Sequence, residues 1–365
     1  MTEVVHREPV SIANATDRPS HMRADVGTSS CASTAITRET TVLLWSHLRM
    51  HGRGCLAYTG LNSGLKHFTT ADGYIVYQPF RHPLLGRKLI YIVVGDPVAA
   101  PSKMPRLIED FLQTAPTTIF LQVSEGCAEV LDGIGLTVNR FGVETDIDLQ
   151  TFDLKGKSKA QLRHWINTAR KHGIVITEEE LMNTDEAEVT ELSSAWLNRK
   201  GGKELALLTR PFDYRTQPDL RFFTARRDGE LLAMATFDPL YDQNRIFGYY
   251  QDIVRCRTGA PHGTSDLLTV TAIERFRAEG RELLMTGLSP LGSLGEEPFS
   301  ASPLIARMLR LMHDHANFVY SFKGLEFHKK RYRGIERPVF VASTSTGKLA
   351  LLRDLAAIIL ALKLF

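Results

Sequence analysis

Four charged residues in the second half of the chain have types and spacings that suit recognition of a charged substrate. Asp252 precedes Arg255 by three positions, Asp266 lies in the first turn of a predicted helix, and Glu296 ends the Gly- and Ser-rich segment SPLGSLGE. Carboxylates at the ends of structural elements cost free energy to bury unless they have a partner or a chemical task. The residues alone leave two interpretations open. They could line a substrate pocket. Alternatively, Asp252 and Arg255 form a local ion pair, Asp266 contacts the helix dipole with Thr264 as the cap, and Glu296 is a solvated loop acid.

Helical and strand patterns alternate around these residues. A helix is predicted from Gly263 to Gly280, and it follows the strand RIFGYYQDIVR, which carries Asp252 near its end. Residues three apart on a strand point to opposite faces, so Asp252 and Arg255 share a pocket only if the strand ends near Asp252 and turns. The other predicted elements of this half are the helix KSKAQLRHWINTARKHG, the strand GIVITE, the helix DEAEVTELSSAWLNRK, the hairpin LRFFTARRDGELLAMATF, the strand RELLMTGL, the helix SPLIARMLRLMHDHA, the strands NFVYSF and RPVFVAS, and the helix KLALLRDLAAIILALKLF.

The first half contains the same kinds of element. A helix is predicted from Glu39 to Met50, and a run of strands follows in which CLAYTG leads to HFTTADGYIVYQPF, with Asp72-Gly73 as the hairpin turn. LIYIVVGDPVAA and TTIFLQVS are almost wholly apolar and predict strands buried on both faces. The remaining predicted elements are the helices SKMPRLIEDFLQTA and EGCAEVLDGIG and the strand LTVNRFGVETDIDL.

The order of elements predicts an α+β fold of two domains with one architecture, each a mixed sheet flanked by helices. This order resembles the GNAT (acyl-CoA N-acyltransferase-like) fold, so we expect two tandem GNAT-like domains. The predicted boundaries are 1–36 for a disordered or loosely attached tail, 37–153 for the first domain, 154–172 for a basic connecting helix, and 173–365 for the second domain with the active site.

Composition restricts the class of protein. The 365 residues are 43% hydrophobic and 23% charged with a formal net charge of +3, which is ordinary for a globular protein. Four scattered cysteines without a CxxC pair predict reduced thiols, and no clustered ligands indicate a metal site. No apolar run reaches the roughly 18 residues of a membrane span, and the N-terminus lacks the apolar region of a secretory signal. We therefore expect a cytoplasmic protein.

Seven segments, in order and at similar spacing, resemble the cytosolic C-terminal domain of the aminoacyl-phosphatidylglycerol synthases, such as phosphatidylglycerol lysyltransferase. They are VVGDPVAAP, FLQVSE, DLKGKSKAQLRHWINTARKHG, WLNRKGGKE, DIVRCRTGAPHGTSDLL, TGLSPLGSLGE and FKGLEFHKKRYRGIERPVF. The resemblance covers about Leu56 to Phe365. It implies a tandem GNAT pair that moves an amino acid from aminoacyl-tRNA, the co-substrate, to a lipid hydroxyl without a cofactor.

Three departures from the family bear on the acceptor. PHGT at 261–264 replaces the usual Pro-Asn-Gly-Thr, and IERP at 335–338 lacks the usual Trp-Glu-Pro. We also expect a soluble member without the membrane-embedded flippase half of many relatives. The acceptor is therefore expected to be a hydroxyl or amine of a phospholipid such as phosphatidylglycerol or of a small metabolite. A lipid acceptor would add peripheral contact with the inner face of the membrane.

The resemblance assigns roles to the motif residues. Asp252 would hold the substrate ammonium, and Arg255 would bind the tRNA terminus or stabilise the developing oxyanion. Glu296 would act as a base or substrate anchor and completes the predicted catalytic set. The predicted substrate-binding residues are Asp266, Thr264, Gly263, Lys203, Glu204, Lys323, Lys329 and Lys330.

The segment 155–172 is rich in lysine and arginine and contains no acidic residue. Lys159, Arg163 and Arg170 share one face of the predicted helix, opposite an apolar face. Such a stripe is commonly a solvated surface, yet the lack of compensating acids favours an anionic partner. We predict that these three residues and Lys171 contact phosphates of tRNA or of lipid.

Two further functions and one structural alternative remain open. The loop from Arg255 to Gly263 could hold a phosphate at the following helix start, as in an acyl-CoA-dependent GNAT N-acyltransferase, although it lacks the glycine spacing of coenzyme A binders. The basic surfaces would also suit a non-catalytic module that binds tRNA or anionic lipid. The apolar terminal helix is expected to pack on the second domain, and contact with a membrane surface is the alternative.

Overall fold

A computed structural model of the chain describes residues 38–61, 64–199, 207–215, 217–315 and 322–363. The predicted tail, 1–36, lies outside these residues. Arg38–Phe365 group as one compact unit. The boundaries predicted at 153 and 172 stay a prediction.

The described strands form one mixed sheet of 12 strands. They are β1 (Lys66–Thr70), β2 (Gly73–Phe80), β3 (Ile90–Val94), β4 (Val98–Ala99), β5 (Thr118–Ser124), β6 (Thr137–Asp148), β7 (Val175–Glu179), β8 (Arg221–Arg227), β9 (Glu230–Asp242), β10 (Arg245–Cys256), β11 (Leu283–Pro290) and β12 (Ile335–Ser343). Their order is β1-β2-β3-β5-β12-β6-β11-β10-β9-β8-β7, and β4 pairs with β2. The pairs β3–β5 and β10–β11 are parallel, and the other pairs are antiparallel.

The last strand completes the sheet of the first half. β12 lies between β5 and β6, with Val339 opposite Ser124 on one side and Gly142 on the other. The sheet then passes into the second half through the pairing of β6 with β11. Residues far apart in sequence are thereby brought together at the centre of the sheet.

Helices cover both faces of this sheet. They are α1 (Arg38–His51), α2 (Cys55–Thr59), α3 (Met104–Thr114), α4 (Glu125–Gly133), α5 (Ala160–Lys171), α6 (Glu186–Arg199), α7 (Thr264–Ala278), α8 (Pro303–His315), α9 (Phe322–Lys330) and α10 (Lys348–Ala361). Strand alternation separates the two faces: Phe120 of β5 packs in the cluster of α3 and α4, whereas its neighbours Ile119 and Leu121 pack with α2 and α10. In the second half, α5 and α7 pack on one face and α6 on the other.

Most predicted elements are confirmed, including the hairpins at Asp72-Gly73 and Asp228-Gly229. CLAYTG was predicted as part of a run of strands, and this is wrong. It forms the short helix α2, which ends at Gly60. The apolar run LIYIVVGDPVAA is two strands rather than one, because Gly95 adopts a left-handed conformation with φ 70°. The predicted strand NFVYSF lies in 317–321 outside the described residues, except Phe322, which begins α9.

The terminal helix packs on the protein. Leu351 and Leu355 of α10 contact the cluster of α8, while Ala357 and Ile358 contact the core formed with the strands of the first half. The expected packing is thus observed, and it includes the first half as well as α8. Among the described residues, no helix is both long and apolar enough to cross a membrane. Cys55, Cys127 and Cys256 are free thiols, as predicted.

Candidate functional site

Three buried charges meet where β9 and β10 lie side by side. Arg210 Nη2 lies 2.6 Å from Asp238 Oδ1 and 3.6 Å from Asp252 Oδ2. The side chain of Arg210 is 8% exposed, and both carboxylates are fully buried. Burial raises the pKa of Asp238 to about 6, although Arg210 acts in the opposite direction. Two carboxylates and one guanidinium are therefore buried together, out of contact with bulk water.

A β-bulge sets the direction of Asp252. The pairing of β10 with β9 shifts between Gln251 and Ile253, so Asp252 is the extra residue in β10. The condition stated for a shared pocket, that the strand ends near Asp252, is not met, because β10 continues to Cys256. The bulge has the effect expected of a turn: Asp252 points toward Arg210, and Arg255 reaches α6 on that same face of the sheet.

Asp252 also lies just beyond the last paired residues of β10 and β11. β10 pairs with β11 only from Gly248 to Tyr250, and beyond Tyr250 the two strands no longer pair. Backbone N–H and C=O groups that leave a strand pairing need other partners, and a ligand is one kind of partner that can supply them. The bulge and the strand separation thus coincide at one place in the sheet.

Arg255 is fully buried beneath α6. Its Nη1 donates to the hydroxyl of Ser193, and its guanidinium faces the rings of Trp196 and Phe212 at 5.6 Å and 5.8 Å from their centroids. Aromatic rings at this distance attract the guanidinium through their negative faces and help to hold it in place. Arg255 also lines a cleft of about 570 Å³ between α6 and the segment 211–215. The cleft is large enough for a small ligand or for the end of a larger one.

A second polar cluster lies between β5, β6 and α9; of its residues, sequence reasoning named only Lys329, whose predicted role in substrate binding stays a prediction. Gln122 Nε2 donates to Glu144 Oε1 at 2.7 Å, and the thiol of Cys55 donates to the same oxygen at 3.2 Å. Lys329 Nζ donates to the carbonyl of Leu288 at 2.6 Å. Burial lowers the pKa of Lys329 to about 7, although Cys55 and Glu144 act to raise it. Burial also raises the pKa of Glu144.

Tyr250 lies near both of these polar clusters. Burial raises the pKa of its hydroxyl, and the charges of Asp252, Cys55 and further acids of both clusters act in the same direction. Its ring packs directly on Gly287, where a Cβ would lie 2.5 Å from the tyrosine Cε2. Gly287 also has φ 73°, a conformation that favours glycine. Tyr250 is thus close to charged groups of both clusters, the one around Arg210 and the one around Glu144.

Asp266 lies in a different environment, at the junction of α7 with α9. Its Oδ2 accepts from Arg331 Nη1 and its Oδ1 from the hydroxyl of Tyr332, each at 2.8 Å. Arg331 in turn faces the ring of Trp165 on α5 at 4.4 Å. Both carboxylate oxygens therefore hold helices together, and a role in substrate binding stays a prediction.

Gly263 and Thr264 belong to the same junction. Gly263, rather than Thr264, is the N-cap of α7, with φ 88°. A Cβ at Gly263 would lie 2.1 Å from the carbonyl oxygen of Trp165, so the glycine permits close contact with α5. The hydroxyl of Thr264 donates to the carbonyl of Pro261 at 2.7 Å. The structure explains both residues by packing, while their predicted contact with substrate is untested.

The other predicted residues are dispersed. Glu296 is exposed on the loop after β11, whereas its neighbour Glu297 accepts a hydrogen bond from the backbone of Arg140 at 2.7 Å. Lys330 is paired with Glu326 at 2.6 Å on the surface of α9. Lys203, Glu204 and the side chain of Lys323 lie outside the described part of the chain.

The predicted basic stripe begins at Lys159, immediately before α5, and divides into two pairs. Lys159 donates to the carbonyl of Asp153 at 2.7 Å, and Arg163 donates to the carbonyls of Leu154 and Gly156. These two side chains therefore fold back onto the preceding loop. Arg170 and Lys171, at the other end of α5, are exposed.

The loop considered for a phosphate contains two arginines that already have protein partners. Arg255 contacts Ser193, and Arg257 Nη2 lies 2.7 Å from Glu191 Oε2. Within the residues that the structure describes, no group of three or more His, Cys, Asp or Glu side chains is arranged to hold a metal ion.

Comparison with known proteins gives a consistent set of relatives. Residues 47–343 match the family model described as "Phosphatidylglycerol lysyltransferase, C-terminal". Phosphatidylglycerol lysyltransferase of Bacillus subtilis (strain 168) is 25% identical over 305 residues, which cover 82% of this chain and 34% of that protein. The chain thus spans about a third of the length of the curated relatives it matches.

Two solved structures have a similar fold. The C-terminal domain of a protein described as a lysylphosphatidylglycerol synthetase from Agrobacterium fabrum has a TM-score of 0.70 and 22% identity, covering 89% of this chain and 98% of that one. L-PGS from Bacillus licheniformis has a TM-score of 0.70 and 23% identity, covering 87% and 95%. The expected mixed sheet flanked by helices is confirmed, and the GNAT-like character and the tandem duplication stay predictions.

Proposed function

The chain belongs to the family of the C-terminal domain of phosphatidylglycerol lysyltransferase, and from this we propose an aminoacyltransferase that uses aminoacyl-tRNA. The acceptor is a hydroxyl of a phospholipid such as phosphatidylglycerol. One observation carries the assignment of the site: Asp252 sits on a bulge, fully buried beside Arg210, where β10 separates from β11. In this proposal the sheet consists of two GNAT-like halves that join through β6 and β11.

The reaction exchanges one ester for another. The acceptor oxygen forms a bond with the aminoacyl carbonyl carbon, and the bond from that carbon to the tRNA ribose oxygen breaks. The proton of the acceptor hydroxyl ends on the ribose oxygen. Because the donor ester is already activated, the protein must mainly position both substrates and stabilise the tetrahedral oxyanion.

Asp252 is proposed to accept hydrogen bonds from the α-ammonium of the amino acid. A buried carboxylate suits this task, since low polarity strengthens its attraction for a cation. Arg255 is proposed to face the tRNA terminus or the oxyanion, because Ser193 and two aromatic rings fix its guanidinium at the cleft. Glu296 reaches the reaction in this proposal only if its exposed loop closes over the bound substrates.

Two groups have pKa values suited to the proton transfer. Burial raises that of Asp238 to about 6 and lowers that of Lys329 to about 7. Groups that titrate near neutrality are effective general acids and bases. We therefore include Asp238 and Lys329, which sequence reasoning did not place in the catalytic set, as candidates for moving the acceptor proton.

The test is transfer of a radiolabelled amino acid from charged tRNA, beginning with lysine and then using the full charged pool. Phosphatidylglycerol in detergent is one acceptor, and a protein-free cytosolic extract supplies small metabolites. We expect label in the lipid, abolished by Asp252→Asn and retained by Asp110→Asn, whose carboxylate pairs with Arg106 on the surface of α3. Absence of transfer to either acceptor from the whole pool would overturn the proposal.

A further inference from the structure

The most exposed large apolar side chains of the described residues are two leucines. Leu349 is 84% exposed at the start of α10, and Leu84 is 81% exposed in the short 3₁₀ turn Pro83–Leu85 between β2 and β3. Single exposed leucines are common, but contiguous apolar surface often marks an interaction site. Whether the two leucines form one continuous apolar surface depends on how close their elements lie.

Both leucines lie at the same end of the strands. Phe80 ends β2 opposite Ile90, which begins β3, so the Leu84 loop caps this end. β5 begins beside β3, and Ser343 ends β12 opposite Ile119 of β5. α10 starts five residues after Ser343 and contacts the turn that carries Leu84.

The Leu84 loop has a defined conformation. His82 caps the turn by accepting a hydrogen bond from the backbone of Leu84 at 3.3 Å, and its ring stacks on Phe80. Pro83 fixes the first position of the turn, and Gly86 closes it with φ 72°. The exposed leucine is therefore presented by an ordered turn.

Positive charge surrounds the two leucines. Arg81, Arg87 and Lys88 flank Leu84 and are exposed, and Lys348 precedes Leu349. The segments 81–95 and 343–353 contain no acidic residue. The acids that follow these segments are engaged within the protein: Asp96 accepts from the backbone of Ser124 at 2.8 Å, and the buried Asp354 accepts from Ser343 at 2.6 Å.

We propose that Leu84, Leu349, Arg81, Arg87, Lys88 and Lys348 form a surface that docks on an anionic lipid bilayer; we call it the Leu84 surface. Exposed leucines bordered by cations suit a membrane interface, where the apolar groups leave water and the cations meet lipid phosphates. A nucleic acid would use the cations alone, since phosphate contacts give no reason to expose leucine. The inference rests on the proposed function. It adds a surface that would hold the protein at the bilayer in which the lipid acceptor lies.

The experiment measures flotation of the whole chain with vesicles of phosphatidylcholine, with and without phosphatidylglycerol, in the absence of tRNA. Wild-type protein is expected to bind the anionic vesicles and to dissociate as salt rises. Leu84→Ser/Leu349→Ser and Arg87→Glu/Lys88→Glu should each weaken binding by about tenfold or more. All side chains changed are exposed, so thermal unfolding should be unaltered.

Matched controls change similar side chains elsewhere. Val175→Ser removes an apolar side chain that is 61% exposed on β7, and Lys103→Glu/Arg106→Glu reverses two exposed charges at the start of α3; both should bind vesicles as wild type does. The inference is overturned if wild-type protein ignores the anionic vesicles, or if the leucine variant binds them equally well. It is also overturned if Arg87→Glu/Lys88→Glu loses tRNA binding but keeps vesicle binding.

Failure of this inference can be separated from failure of the proposed function. Transfer to short-chain phosphatidylglycerol in detergent does not require docking, so variants of the Leu84 surface should retain it. Vesicle binding without any transfer would contradict the proposed function alone. Transfer in detergent without vesicle binding would contradict the docking surface alone.

Discussion

Arg210 Nη2 lies 2.6 Å from Asp238 Oδ1, and neither side chain has appreciable contact with solvent. Arg210 comes from the loop segment before Pro211, whereas Asp238 lies in the buried and largely apolar middle of strand β9. The pair joins this loop to the sheet. It also leaves Asp252, the next charge at 3.6 Å, close to a guanidinium that is already engaged.

Replacing Asp238 with asparagine should destabilise the fold strongly. The change removes one of the two carboxylates that compensate a buried guanidinium, and loss of one partner of such a pair costs about 3 kcal/mol in the free energy of unfolding. Urea denaturation measures this loss of free energy of unfolding. The control is Asp213→Asn, whose partner Arg215 is 82% exposed, and there the loss should stay below about 1 kcal/mol. Equal losses in both variants would contradict the buried pair.

The close contact at Gly263 gives a second prediction. Gly263→Ala should reduce the free energy of unfolding by about 3 kcal/mol or more, because the added Cβ would meet the Trp165 carbonyl at 2.1 Å and φ is 88°. Gly259→Ala is the control: its φ is 84°, but its Cβ would meet nothing within 4 Å. It should lose only about 1 kcal/mol. If Gly263→Ala lost as little free energy of unfolding as Gly259→Ala, α5 would not pack closely on Gly263.

The elements were predictable where a local pattern was long enough to be unambiguous. The helix over Glu39 to Met50 has several turns of apolar periodicity, and it appears as α1. α2 has only five residues, too few to separate helical from strand periodicity. The position of β12 between β5 and β6 depends on pairing between distant segments, which no local pattern specifies.

Only the part of the candidate site that depends on local sequence was predictable. Asp252 and Arg255 were found through a short motif, but the bulge that orients them depends on pairing with β9. Asp238 offered a signal that was not used, a carboxylate inside the apolar strand ELLAMATFDPLYD. Arg210 and Glu144 carry no such signal, because their partners come from other parts of the chain.

Lys329 should make stability depend on pH above neutrality. Burial lowers its pKa from 10.5 to about 7 in the folded protein, so between these values the unfolded chain binds more protons. The free energy of unfolding therefore rises with pH in this window, by about 2 kcal/mol from pH 7 to pH 9, and the contribution is lost as pH falls to about 7.

Lys329→Met should abolish that rise, as measured by urea denaturation at the two pH values. The neighbouring Lys330→Met is the control, since the side chain of Lys330 is 47% exposed and paired with Glu326. It should retain the dependence of the wild-type protein. A pH dependence unchanged in Lys329→Met would mean that the amine is charged where it is buried.

The two ends of α5 should differ in their effect on tRNA binding. Arg170 and Lys171 are exposed, so Arg170→Glu/Lys171→Glu should weaken binding and reduce the slope of log affinity against log salt by about 2. Lys159 and Arg163 instead donate to backbone carbonyls of the preceding loop. Lys159→Met/Arg163→Met should therefore lower the free energy of unfolding while leaving the salt slope nearly unchanged. Filter binding of tRNA across a KCl series measures both variants, and identical slopes for the two would refute the division of the stripe.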